Sequence, residues 1–199
     1  MNKKKILLHS CCAPCSTAVI ERLADEYEIT ILYYNPNIYP EDEYLKRKGE
    51  ELKYIEIFNN KNNDKKISFL DCDYESEVFY QKVKGFEDER EGGARCALCF
   101  RLRLEKTAKL AKENKFDIFG TTLTVSPHKN AEVINAIGKA LENEVGVEYL
   151  VSNFKKQNGY KRSVELAKEN DLYRQNYCGC EFALRIQMKE APESLNKKY

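Results

Sequence analysis

Two histidines are all the imidazole that this chain of 199 residues contains. That scarcity leaves little room for a zinc site of mixed Cys and His ligands. Charge of one sign is also lacking in excess. The 33 Lys and Arg stand against 32 Asp and Glu, which excludes a globally basic nucleic-acid binder but not a local basic face. No stretch approaches the ~18 consecutive apolar residues of a membrane span. The N-terminal run I-L-L is cut off by His9, short of the roughly 7–15 apolar residues of a secretion signal. Internal repeats are absent, and the one biased stretch is N-N-K-N-N-D-K-K (residues 59–66). The expectation is a cytoplasmic chain with no membrane partner. Its 42% apolar and 33% charged residues suit one globular α/β domain over residues 1–199.

Cysteine is plentiful: there are eight, unevenly spaced. Cys11, Cys12 and Cys15 form C-C-x-x-C, Cys96 and Cys99 form C-x-x-C, Cys178 and Cys180 form C-x-C, and Cys72 stands alone. Cytosolic disulfides are uncommon, so thiols this dense point to metal or redox chemistry. A C-x-x-C at a helix start lets both thiols reach one centre, and the helix N-terminus favours the thiolate. Adjacent Cys11 and Cys12 cannot easily aim at one tetrahedral ion and suit two neighbouring centres better. Seven clustered thiols also exceed the four ligands of a zinc ion or a [4Fe-4S] cluster. Spacing alone leaves structural zinc, an iron–sulfur or similar redox site, and thiol–disulfide chemistry open. Cys72 reads as a free thiol at a strand end.

Hydrophobic patterning alternates strands with helices. Strands are predicted over residues 5–10, 29–34, 67–70, 116–121 and 147–151. Helices are predicted over residues 17–26 with Ser16 as N-cap, 41–58, 75–84, 96–114, 128–141 with Pro127 near the start, 160–169, and after Cys180, before a charged tail. This order implies a parallel sheet covered by helices on both faces, with ligands collecting beyond the carboxyl ends of the strands. The cysteine loop after the first strand and T-T-L-T-V-S-P after the fourth should share that rim.

Five segments in this order, H-S-C-C-A-P-C (residues 9–15), R-C-A-L-C-F-R-L-R-L (95–104), T-T-L-T-V-S-P-H-K (121–129), F-K-K-Q-N-G-Y-K-R-S (154–163) and Y-R-Q-N-Y-C-G-C (173–180), closely resemble the QueH-type epoxyqueuosine reductases. The resemblance spans nearly the whole chain. It implies a nucleotide-hydrolase-like (HUP-type) α/β fold related to PP-loop enzymes, with H-S-C-C-A-P-C where those enzymes carry their ATP loop, so no ATP use is expected. It implies cobalamin-independent reduction of epoxyqueuosine at the wobble position of tRNA, the last step of queuosine synthesis. It also implies a [4Fe-4S] cluster beside a second mononuclear metal ion, iron. Carried over by motif, the ligands are Cys11, Cys12, Cys15, Cys96, Cys99, Cys178 and Cys180. Cys96 and Cys99 are the firmest for the cluster, joined by Cys11 or Cys12 and Cys178 or Cys180. Some relatives carry Asp at the Cys15 position, which suits an iron ligand. An external electron donor such as ferredoxin or flavodoxin is required.

Opening an epoxide to an alkene consumes two electrons and two protons. His9 and His128 are the candidate proton donors, with Tyr160 or Tyr177 as alternatives. Positive charge gathers at Arg95, Arg101, Arg103, Lys106 and Lys109, and at Lys155, Lys156, Lys161 and Arg162, with Lys129 nearby. These are candidate contacts to anticodon-loop phosphates, and Phe154 or Tyr160 is a candidate platform for a flipped base.

Overall fold

The computed structural model describes residues 3–190, so the charged tail lies outside the described residues. Five parallel strands form one sheet in the order β3-β2-β1-β4-β5. They are β1 (Lys4–His9), β2 (Tyr27–Tyr33), β3 (Ser68–Asp71), β4 (Ile118–Thr121) and β5 (Glu148–Tyr149). β1 is central because its Ile6, Leu7 and Leu8 are apolar on both faces, as a strand covered on both sides must be. Ile6 and Leu8 point into one core, with Val19, Ile20, Tyr54, Ile55 and Ala167. Leu7 points into the other, with Phe100, Leu104, Ala108, Ile134 and Leu141. That alternation divides the helices. α1 (Ala13–Leu23), α2 (Glu41–Lys61) and α6 (Gly159–Glu169) cover the first face. α4 (Ala94–Glu113) and α5 (Ala131–Val145) cover the second. α3 (Ser76–Val83) and α7 (Glu181–Glu190) pack together through Phe79, Val83, Phe182 and Ala183.

The expected α/β architecture is therefore present, with three local corrections. α1 starts at Ala13 rather than residue 17. Pro14 fits the first helical turn, where no N–H partner is required, and Ser16 lies inside the helix with its hydroxyl on the Ala13 carbonyl at 3.0 Å. α5 starts at Ala131, capped by the Asn130 side chain on the amides of Glu132 and Val133. Pro127 and His128 thus sit in the turn before it. T-T-L-T-V-S-P is not a plain loop, since Thr122–Val125 forms a 3₁₀ turn capped by Thr121.

The chain leaves β1 toward β2 on one side, while β4 joins β1 on the other, with His9 paired in register to both Leu32 and Thr121. Strand order reverses here, and a crevice opens beyond the strand ends at such a switch point. On the β4 side, α5 packs closely on β5. A methyl group on Gly138 of α5 would lie 2.3 Å from the Tyr149 ring, and the Tyr149 hydroxyl is tied to Asn135 Oδ1 at 3.2 Å. Gly138→Ala should destabilise the protein by ~1–3 kcal/mol through overpacking, despite the roughly 1 kcal/mol that alanine favours a helix. Denaturant unfolding checks this, and a stabilised variant would contradict it.

Candidate metal centre

All three cysteine motifs stand at the amino ends of helices. Cys12 is the N-cap of α1 and Cys15 lies in its first turn. Cys96 lies in the first turn of α4, and Cys180 immediately precedes α7. The positive ends of three helix dipoles therefore converge on sulfur. All eight cysteines are free thiols. The Sγ atoms of Cys11, Cys12 and Cys15 lie within 4.8 Å of one another, with Cys11 and Cys12 at 3.8 Å. Cys99 and Cys180 share a buried cluster to which Cys178 packs. Cys178 lines one cavity with Cys15 and another with Cys96, joining the motifs. Amide groups aim at the sulfurs: Gly92 N–H at Cys96 (3.2 Å), Ala183 N–H at Cys180 (3.4 Å) and Gln175 Nε2 at Cys12 (2.9 Å). Cys72 follows β3 and stays outside this set.

The metal-free thiols cannot all ionise together. Cys11 is held well below the usual thiol range because Cys12 and Cys15 hydrogen-bond to it, with Lys129 and Arg103 adding positive charge. The same bonding pushes Cys12 up to about 12 and raises Cys15. Burial pushes Cys99 up to about 12, Cys180 up to about 11, and raises Cys96. Such thiols are released as ligands when a metal displaces their protons. Seven free sulfurs with amide donors aimed at them fit an iron–sulfur centre with a further ion, since hydrogen bonds to sulfur are one of the protein's means of tuning such clusters.

The expected proton donors divide. His9 is fully enclosed, and its Nε2–H donates to the Tyr34 carbonyl (3.2 Å) while Nδ1 accepts from Thr121 Oγ1 (3.0 Å). Burial, reinforced by the Arg103 charge, holds its pKa at about 3. His9 thus sits as a neutral imidazole between the ends of β1, β2 and β4, its one N–H engaged by the Tyr34 carbonyl. His128 and Tyr160 instead line a cavity of about 280 Å³ with Lys129, Tyr177, Cys15 and Cys178.

The basic residues divide as well. Arg95 and Arg103 are each 2% exposed and cannot reach an external phosphate. Lys129 is turned inward, raised by the Cys178, Cys11 and Cys15 thiols against a burial that alone would lower it. Arg101 is paired with Glu144 (2.7 Å), and Arg162 with Glu21 (3.0 Å) and Glu169 (3.1 Å). Lys155 donates to the Lys129 carbonyl (2.9 Å), whereas Lys156 and Lys161 are exposed. Phe154 is buried in the core beneath β1 and offers no face to a base.

Comparison with known proteins places this arrangement. The family described as Epoxyqueuosine reductase QueH matches residues 6–186. The chain belongs to this family. Relatives named Epoxyqueuosine reductase QueH include one from Streptococcus pyogenes, 45% identical over 93% of this chain and 72% of its own length. One from Staphylococcus epidermidis is 46% identical over 93% and 78%, and one from Thermotoga maritima 36% identical over 97% and 96%. A predicted tRNA methyltransferase subunit from Methanocaldococcus jannaschii superposes with a TM-score of 0.51 at 15% identity, covering 83% of this chain and 74% of that one. That likeness is one of α/β fold alone. Among the described residues no helix is long and apolar enough to cross a membrane.

Two residues of this QueH family member carry the site without standing in any cysteine motif. Arg47 of α2 is 1% exposed, ion-paired to Glu43 (2.7 Å), and donates to the carbonyls of Cys178 (3.3 Å) and Tyr177 (3.4 Å). It thereby fixes the C-x-C turn, whose Gly179 adopts φ +122° against the guanidinium, where a Cβ would lie 2.9 Å from Nη1. Glu51, also on α2, is fully buried and accepts from Ser10 Oγ at 2.9 Å. In sequence both look like ordinary charges on a highly charged helix, and only an i, i+4 spacing from Arg47 to Glu51 puts them on one face. Burial raises the Glu51 carboxyl to about 7.

A raised acid keeps its proton longer folded than unfolded, so stability falls as pH rises from about 4.5 to about 7, by ~3 kcal/mol at about 1.4 kcal/mol per unit. Glu51→Gln removes the ionisation. Its unfolding free energy should therefore gain on the wild type by that amount between pH 4 and pH 8, in anaerobic denaturant melts of the metal-free chains. A difference independent of pH would show that the carboxyl is not held neutral.

Proposed function

We propose that this chain reduces epoxyqueuosine to queuosine at the wobble position of tRNA, in the cytoplasm and without cobalamin, as one α/β domain. Its seven clustered thiols would hold a [4Fe-4S] cluster and an adjacent mononuclear iron. When bound, these supply electrons singly, from an external donor such as ferredoxin or flavodoxin, and a Lewis-acid site for the epoxide oxygen. The observation that carries the reading is the cavity where Cys15 and Cys178 meet His128 and Tyr160. Thiols from two metal motifs and two groups able to give a proton face one space open to a substrate.

In this reading the chain's own residues bind and protonate. The reaction takes epoxide, two electrons and two protons to alkene and water. His128, Tyr160 and Tyr177 are the donors that face the cavity. Lys129 places positive charge where the oxygen leaves. Lys156, exposed just before α6, and Lys161, exposed on α6 and only loosely paired with Glu165 at 3.9 Å, are the phosphate contacts that the surface supports. Arg101, Arg162 and Lys155 would have to exchange intramolecular partners to join them. The tight Cys11, Cys12 and Cys15 group stands between two centres: Cys15 suits the single ion, and Cys11 or Cys12 joins Cys96, Cys99 and Cys178 or Cys180 as the four ligands a cubane takes.

Anaerobic purification with iron and sulfide analysis tests this. The expected result is about four sulfides and more than four irons per chain. Cys15→Ala should keep the sulfide and lose about one iron, together with turnover of epoxyqueuosine tRNA. Stoichiometric zinc with no sulfide, even after reconstitution, would overturn the reading.

A further inference from the structure

A buried charge is tolerated when an opposite charge compensates it. The buried Arg47 has Glu43. Arg95 and Arg103, flanking C-x-x-C on α4, have no carboxylate within 4.0 Å among the described residues. Arg95 uses Nη1 on the carbonyls of Glu87 (2.7 Å) and Phe86 (3.4 Å), and its guanidinium lies 4.8 Å from the Phe182 ring. Its Nε and Nη2 are buried without any hydrogen-bond partner. Arg103 donates from Nε to the Cys99 carbonyl (3.2 Å) and lies 5.6 Å from the Phe100 ring. The anions available to these two cations are thiolates. Arg103 stands one helical turn beyond Cys99 and holds its carbonyl, while Arg95 adjoins Cys96 and lies over Phe182, which packs with Cys99 and Cys180.

We propose that Arg95 and Arg103 are the permanent counter-cations of the thiolate centre, Arg95 through its two unpartnered donors and Arg103 through its buried place one turn from Cys99, and that they set the centre's reduction potential. They are positioning and tuning residues, not nucleic-acid contacts. The inference rests on the reading that these thiols hold an iron–sulfur group. Reduction adds negative charge to a centre that is already anionic, and a fixed cation in a site of low dielectric favours that added charge. A guanidinium serves better than an ammonium because it stays charged when buried and is only weakly hydrated.

The test uses the anaerobically reconstituted full chain and its Arg95→Met, Arg103→Met, Arg95→Lys and Arg103→Lys variants. Circular dichroism reads folding, sulfide analysis reads cluster content, and potentiometry followed by electron paramagnetic resonance reads the midpoint. Each Met variant should lower the reduced-to-oxidised ratio at fixed potential by about tenfold, a shift of ~59 mV for a one-electron couple. The Lys variants should recover most of it. Folded Met variants with the wild-type midpoint, or Lys variants shifted as far as Met, would overturn the proposal. Where a folded Met variant loses its sulfide, retention by the Lys variant supports the proposal and equal loss overturns it. The wild-type analysis stands apart. Zinc without sulfide there would refute the iron–sulfur reading, and the arginines are then judged on zinc affinity, where a tenfold loss in the Met variants supports their role and no loss refutes it.

Discussion

Seven thiols gathered in a folded core form an electrostatic problem before they form a metal site. Burial drives Cys99 and Cys180 toward the neutral thiol, and hydrogen bonding within the C-C-x-x-C group leaves Cys11 alone inclined to ionise. The rest of the architecture opposes that tendency. Helices α1, α4 and α7 point their positive ends at the sulfurs, and Arg47, Arg103 and Lys129 stand around them. Positive charge thus surrounds an anionic centre from several elements distant in sequence. This is the arrangement a thiolate-bound cluster requires.

The sheet decides where that charge can meet. β1 is the central strand, and the chain departs from it in opposite directions toward β2 and β4. The cysteine loop emerges into the crevice so formed, opposite the 3₁₀ turn that follows β4. His9 and Glu51 hold the floor of this crevice. One is an enclosed imidazole joining three strands, the other a buried carboxyl that accepts from Ser10 and whose pKa burial raises. α2 reaches across with Arg47 and fastens the C-x-C turn, so the last motif is delivered by a helix that carries no cysteine.

Much of this was legible in the order of residues. Short apolar runs and helical patterning located the strands and the main helices, because burial on one or two faces leaves its mark on composition. The cysteine motifs pointed to metal or redox chemistry, although their spacing alone left zinc, iron–sulfur and disulfide readings open. Helix starts were less legible. Ser16 has the chemistry of a cap, yet Pro14 lets the helix begin earlier and brings Cys15 into its first turn. Charged residues were misleading for a clear reason: a lysine or arginine in sequence shows its sign and not its direction. Arg95 and Arg103 read as a basic face, but they stand on the side of α4 turned to the thiols.

The sequence by itself determined the α/β order of elements, the resemblance to the QueH family, and the seven clustered thiols proposed as ligands, since each depends on residue type and local spacing. Only the tertiary structure decided which charges are solvated and which are buried, that His9 is enclosed with both ring nitrogens engaged, and that Arg47 and Glu51 bond to the segments that carry the cysteine motifs. Direction, burial and partnership are properties of long-range packing, and no short stretch of residues records them.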